Sequence, residues 1–173
     1  SVYDSVYVPT LPGGGGARTS GSAPGNPGGG VIDLQADELV LEGSLLARGL
    51  TPTSANAALF ARAAGAGGSI LVRAGRLSGA GLIDASGGWP TISTDTTYQW
   101  GAGGGGRILI VAGELVGFDP TTQTEAAGGR RSVSGGGYLL GAPGTVVVQG
   151  PGSVFGTLIV DAGSLSASRP GSA

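Results

Sequence analysis

The sequence predicts an all-β fold, a parallel β-solenoid of about four coils with a short helical insertion. Two observations carry this prediction. One hydrophobic pattern recurs without a gap every 38 residues, and a missed repeat would misread the whole fold. Within each copy the apolar residues alternate, as they do in a strand with one buried face. A third observation removes disorder as a competitor. The 38 glycines and 10 prolines among 173 residues give a share usually read as low complexity. Yet the chain is 40% hydrophobic and only 12% charged, the reverse of a disordered composition. The glycines therefore punctuate a packed structure, and the length suits one domain.

The columns can be read directly. GGGVIDLQA at 28–36 aligns with AGGSILVRA at 66–74, GGGRILIVA at 104–112 and APGTVVVQG at 142–150. Gly30, Gly68, Gly106 and Gly144 form one column; Ile32, Ile70, Ile108 and Val146 the next; Leu34, Val72, Ile110 and Val148 the third. Ala36, Ala74, Ala112 and Gly150 close each run, which suits a sharp bend with no room for a larger side chain. Leu39, Leu77 and Leu115 continue the register, and Ser153 breaks it. A second strand is expected at 39–49, 77–87 and 154–163, while Pro120 and polar neighbours suggest a loop in the third unit. Stacked repeats would bury ladders of like residues about 4.8 Å apart. A β-sandwich gives no reason for gapless columns, a collagen helix needs glycine at every third residue, and no calcium-binding nonapeptide is present.

Organisation follows from this pattern. Residues 1–12 read as an N-terminal strand with Val2, Val6 and Val8, either a cap or a strand donated to a neighbour. Residues 13–30 read as a flexible Gly/Pro-rich linker, residues 28–163 as the solenoid, and residues 164–173 as a flexible tail. Three insertions differ between units. TPTSANAALFARAAG at 51–65 reads as a short helix capped by Thr53 or Ser54 and ended by Gly65. WPTISTDTTYQW at 89–100 places Trp89, Tyr98 and Trp100 as a sugar-stacking platform, or packs its two tryptophans on each other as a loop anchor. The stretch 119–134, with Asp119, Glu125, Arg130 and Arg131, reads as a solvated charged loop, since its acids match no metal-ligand spacing. The outward column Asp33, Leu71, Leu109 and Val147 is apolar in three of four units. Such a stripe is covered or used for binding, here by the inserted helix or by a neighbouring subunit.

The chain has no cysteine, histidine, methionine or lysine, and all nine basic residues are arginine. Disulfides and thiolate metal sites are therefore excluded, and no cofactor or metal is expected. A net charge of −2 with scattered bases gives no nucleic-acid footprint. No apolar run approaches the roughly 20 residues of a membrane helix. The start at Ser1, without a leader, suggests a processed protein or an excised segment. Neither Asn26 nor Asn56 lies in a glycosylation sequon. A polysaccharide-degrading site would need paired carboxylates. Asp84, Asp95, Asp119 and Asp161 are the candidates, but only Asp84 and Asp161 occupy comparable places, and the third unit offers no match.

The run GGSILVRAGRLSGAGLIDASGG followed by GGGGRILIVAG resembles the glycine-rich β-helix repeats of large bacterial surface proteins, of the adhesin and autotransporter passenger type. The resemblance covers residues 28–163 and implies a right-handed parallel β-helix in an extracellular or cell-surface location, with adhesive, surface-layer or fibre roles. The departure from that group is size, four units instead of many. The expected function is accordingly a non-enzymatic structural or adhesive protein. It would assemble head to tail with copies of itself through the solenoid ends and the N-terminal strand. Val2, Val6, Val8, Leu71, Leu109 and Val147 are the candidate assembly surface, and surface glycans are possible partners at Trp89, Tyr98 and Trp100. The alternative is a carbohydrate-binding or polysaccharide-degrading protein.

Overall fold

The computed structural model describes residues 4–17, 25–51, 63–89, 101–133 and 137–163. Three long strands, β1 (Val31–Val40), β3 (Ser69–Ser78) and β5 (Arg107–Val116), form where β-branched and aliphatic residues alternate. With β9 (Gly144–Gln149) and β10 (Thr157–Asp161) they build a five-stranded sheet in the order β1-β3-β5-β9-β10. The first four run parallel at the 38-residue offset: Ile32 pairs with Ile70, Ile70 with Ile108 and Ile108 with Val146. After the alanine column the ladder skips one pair, between Ala36↔Ala74 and Glu38↔Arg76. There two successive residues, Asp37 and Glu38, face out, and so do Gly75 and Arg76. The strand turns a corner at this point, which moves Leu39 and Leu77 back to the core side.

Beyond the corner a second sheet of three short parallel strands forms, β2 (Ser44–Leu46), β4 (Leu82–Asp84) and β6 (Thr124–Glu125). The core fills the space between the two sheets. Ile70, Val72, Leu77, Ile83, Ile108, Ile110 and Val146 are all fully or almost fully buried in one cluster with Ala85, Ala126 and Phe118. Each such side chain contributes about 1.5–3 kcal/mol through removal from water.

Behind the second sheet the chain enters a glycine-rich layer with no strands. Successive passes hydrogen-bond in a zigzag. Gly65 N–H donates to the Leu50 carbonyl, Gly88 to Gly65, Gly103 to Gly88, Gly129 to Gly103 and Gly141 to Gly129, at 2.7–3.1 Å. The backbones approach so closely that a Cβ on Gly65, Gly103 or Gly129 would run into the carbonyl oxygen of Pro27, Gly65 or Gly88 respectively. The described parts of 13–30 join this layer instead of running free. Gly13 N–H donates to Gly29, Gly16 to Asn26, and Ala66 N–H to Gly14.

The expected all-parallel, right-handed β-helix of about four coils is corrected. Among the described residues the architecture mixes parallel and antiparallel sheets with almost no helix. β10 pairs antiparallel with β9, with Ile159 opposite Val146, and β7 (Arg130–Val133) pairs antiparallel with β8 (Gly137–Leu140) as a separate two-stranded sheet. Residues 154–163 were expected to repeat 39–49 in the second row. They instead fold back onto the first sheet. The physical reason is the connection after β9. Gly152 and Gly156 adopt φ of 71° and 74°, a left-handed conformation that glycine reaches without a Cβ penalty, and this reverses the chain. Among the described residues the second sheet therefore stops at three strands.

Two further expectations change. The expected helical insertion at 51–65 lies largely outside the described residues. The helix that is described, α1, spans Pro120–Gln123 within the expected loop. The third unit also has its second-row strand. β6 pairs with β4, but Asp84 meets Glu125 at an offset of 41 (125 minus 84), so three extra residues displace it from the 38-residue register.

Candidate functional site

Leu71, Leu109 and Val147 point away from the main core, yet their exposure is 1–2%. They form a second apolar cluster, on which Val6 of the N-terminal segment packs along with Val111. No strand forms in the described part of residues 1–12. Those residues make a strap organised by Asp4, whose carboxylate accepts hydrogen bonds from the Ser5, Thr10 and Leu11 amides at 2.8–2.9 Å. Asp4 also faces the Arg107 guanidinium at 3.4 Å. Arg107 and the Ser69 hydroxyl both donate to the Leu11 carbonyl, at 3.0 and 2.7 Å. Burial alone would raise the Asp4 carboxyl, but the Leu11, Ser5 and Thr10 amides and the Arg107 charge outweigh it and hold it below the ordinary aspartate value. The outward stripe is thus covered within the chain. Val8 on the strap is exposed, and Val2 lies outside the described residues.

Of the candidate glycan contacts, Trp89 is described, and Tyr98 and Trp100 lie outside the described residues. Arg130 of β7 stands over the Trp89 ring at 4.7 Å from its centroid, a cation–π contact. The Trp89 amide donates to the Thr51 hydroxyl at 3.0 Å. Arg130, expected in a solvated loop, therefore ties the third unit to the second. Arg131 shares β7, opposite Leu139.

The carboxylates are engaged in structure. Asp84 is fully buried. One oxygen takes the Arg48 guanidinium, and the other accepts from the Ser86 amide and hydroxyl. Asp161 makes the same kind of turn, accepting from the Gly163 amide at 2.9 Å, and also accepts from the Ala126 amide at 2.8 Å. Asp119 caps α1, and the Thr121 hydroxyl and amide hold its carboxyl below the ordinary value. Asp95 lies outside the described residues. Glu125, expected in a solvated charged loop, is the residue that pairs with Asp84 in the third unit, three residues off the repeat. Glu125 and Asp161 both line a cleft of about 260 Å³ beside β10. Among the described residues no three acids converge as a metal site, and no helix is long and apolar enough to cross a membrane.

Among the described residues, the two ends of the five-stranded sheet combine an outer strand with exposed or half-buried apolar side chains. At the β10 end, Leu158 and Val160 are 55% and 60% exposed, with Val154 and Phe155 at 78% and 72% in the loop before them. At the β1 end, Ile32, Leu34 and Leu39 are half-buried, where their column mates Ile70, Val72 and Leu77 are fully buried. The β1 end was signalled in the sequence, since the first member of each ladder has a neighbour on one side only; the β10 end was not, because residues 154–163 alternate as a second-row strand would. No family model, no curated protein and no solved structure matches the chain.

Proposed function

We propose that the chain is a non-enzymatic structural or adhesive module of a cell surface that joins copies of itself end to end through its β10 edge. The observation carrying this reading is the exposed, uncharged row of Leu158 and Val160 on the last strand of the sheet, beside Val154 and Phe155. An edge strand offers unpaired main-chain groups to another strand, and the exposed apolar side chains on β10 and in the loop before it supply the burial that strand addition needs. The engaged carboxylates favour this reading over polysaccharide cleavage. Asp84 is committed to Arg48 and Ser86, and Asp161 to two amides.

Light scattering over a concentration series, with electron microscopy at the highest concentration, tests the proposal. The wild-type chain should grow in size, and Val160→Lys or Leu158→Lys should remain monomeric with an unchanged circular dichroism spectrum. Fibres would place β10 of one copy against β1 of the next; closed pairs would place β10 against β10. A wild-type chain that stays monomeric at every concentration overturns the proposal.

A further inference from the structure

The free edge of β1 has a chemistry that the β10 end lacks. Among the described residues β1 is the outermost strand of its sheet, it runs for 10 residues, and no apolar row lies over the half-buried Ile32, Leu34 and Leu39. Outward, β1 and the turn after it carry Asp33, Asp37, Glu38 and Glu42 and no basic residue. On its paired edge β1 already meets the complement of that charge. Arg73 reaches Asp33 at 2.8 Å and Arg76 reaches Glu38 at 3.1 Å. Arg76 also reaches Glu114 of β5 at 3.6 Å. The column through Glu38 therefore alternates acid, base, acid from strand to strand, and it ends on an acid at the open edge.

We infer that the free edge of β1 is a docking site for a basic, extended strand of another polypeptide, built on the β3 pattern. Its alternate apolar side chains lie over Ile32, Leu34 and Leu39, and its arginines or lysines sit beside Asp33 and opposite Glu38. Glu38 then stands between two bases, as Arg76 stands between two acids. A second copy fits this edge less well. Its β10 carries no base and ends in Asp161, and its β1 would set acid on acid, which destabilises a cross-strand pair. The inference goes beyond copy-to-copy joining and does not depend on it.

The probe is a synthetic peptide of the β3 sequence, SILVRAGRLS, compared with the same peptide carrying glutamate in place of both arginines. The titration uses fluorescence anisotropy against the full chain carrying Val160→Lys, so that the β10 contact plays no part. The arginine peptide should bind about tenfold more tightly, the effect of about two exposed ion pairs, and amide exchange should slow on residues 31–40. Asp33→Arg with Glu38→Arg should invert the preference. Where reversal perturbs the circular dichroism spectrum, Asp33→Asn with Glu38→Gln should erase it. Equal binding of the two peptides, binding of neither, or slowed exchange at β10 instead of β1 overturns the inference. Self-association of the wild-type chain is read separately, so either result stands without the other.

Discussion

The sheet half of the molecule and its glycine layer solve the same stacking problem in opposite ways. In the sheets, backbones meet along hydrogen bonds at one strand spacing, and side chains such as Ile70, Ile108 and Val146 fill the space between layers. In the glycine layer the passes meet backbone to backbone at Gly65, Gly103 and Gly129. The backbone of Gly103 lies between those of Gly65, Gly88 and Gly129. Stability in the sheets thus comes from apolar surface removed from water. In the glycine layer it comes from close backbone contact and the hydrogen bonds between passes. The lesson is that a sequence rich in glycine can be as tightly specified as one rich in isoleucine, with the specification resting on what is absent.

The strongest way to break this comparison is to add one carbon to the glycine layer. Gly103→Ala places a methyl against the Gly65 carbonyl, and the obstacle is main chain, which cannot rotate away. A loss of about 4 kcal/mol or more is expected in denaturant unfolding, in the range of exceptional single substitutions. A loss under about 1 kcal/mol, which is ordinary for a surface change, would show that the layer is looser than described. The opposite operation on the sheet, removing carbon, should cost somewhat less. Ile110→Ala leaves a cavity in the main core, and about 3–4 kcal/mol is expected from the usual large-to-small series.

The strap gives a smaller and pH-dependent effect. Asp4→Asn removes the charge that three amides and Arg107 engage, at a cost of about 1.5 kcal/mol near neutral pH. The folded carboxyl lies below the ordinary value of 3.8, so its stabilisation is present above that value and is lost as the pH falls through the folded one. The difference in stability between wild type and variant should therefore shrink on acidification, and a constant difference would remove Asp4 from the account. The smallest effect is expected at Gly43, where a Cβ meets nothing within 4 Å. Gly43→Ala should change stability by less than about 0.5 kcal/mol. Gly103→Ala and Gly43→Ala together separate close packing from glycine content as such.

Much of the sheet was legible from spacing alone. Columns such as Leu34, Val72, Ile110 and Val148 pair at the offset read from the sequence, because β-residues on one face must stack on residues of similar shape. The direction of the last strand was not legible. TLIVD alternates identically whether it runs parallel or antiparallel, and Gly152 and Gly156 turn it back. The equivalence of Glu125 with Asp84 was hidden by three additional residues, which a fixed period does not tolerate. The apolar outward column was visible as Leu71, Leu109 and Val147. Its cover was not, because Val6 and Asp4 reach it from more than 60 residues away in the chain (71 minus 6 is 65) through a strap with no period of its own.

By itself, then, the sequence determined which residues stack on which across β1, β3, β5 and β9, since alternation and a constant offset encode register locally. Only the tertiary structure decided how the stack is finished. It chose the antiparallel closure by β10, the strap over the outward stripe, the tight glycine layer and the open acidic edge of β1. Each of these depends on which distant backbone lies within hydrogen-bonding reach, and a pattern of neighbours along the chain carries no record of that distance.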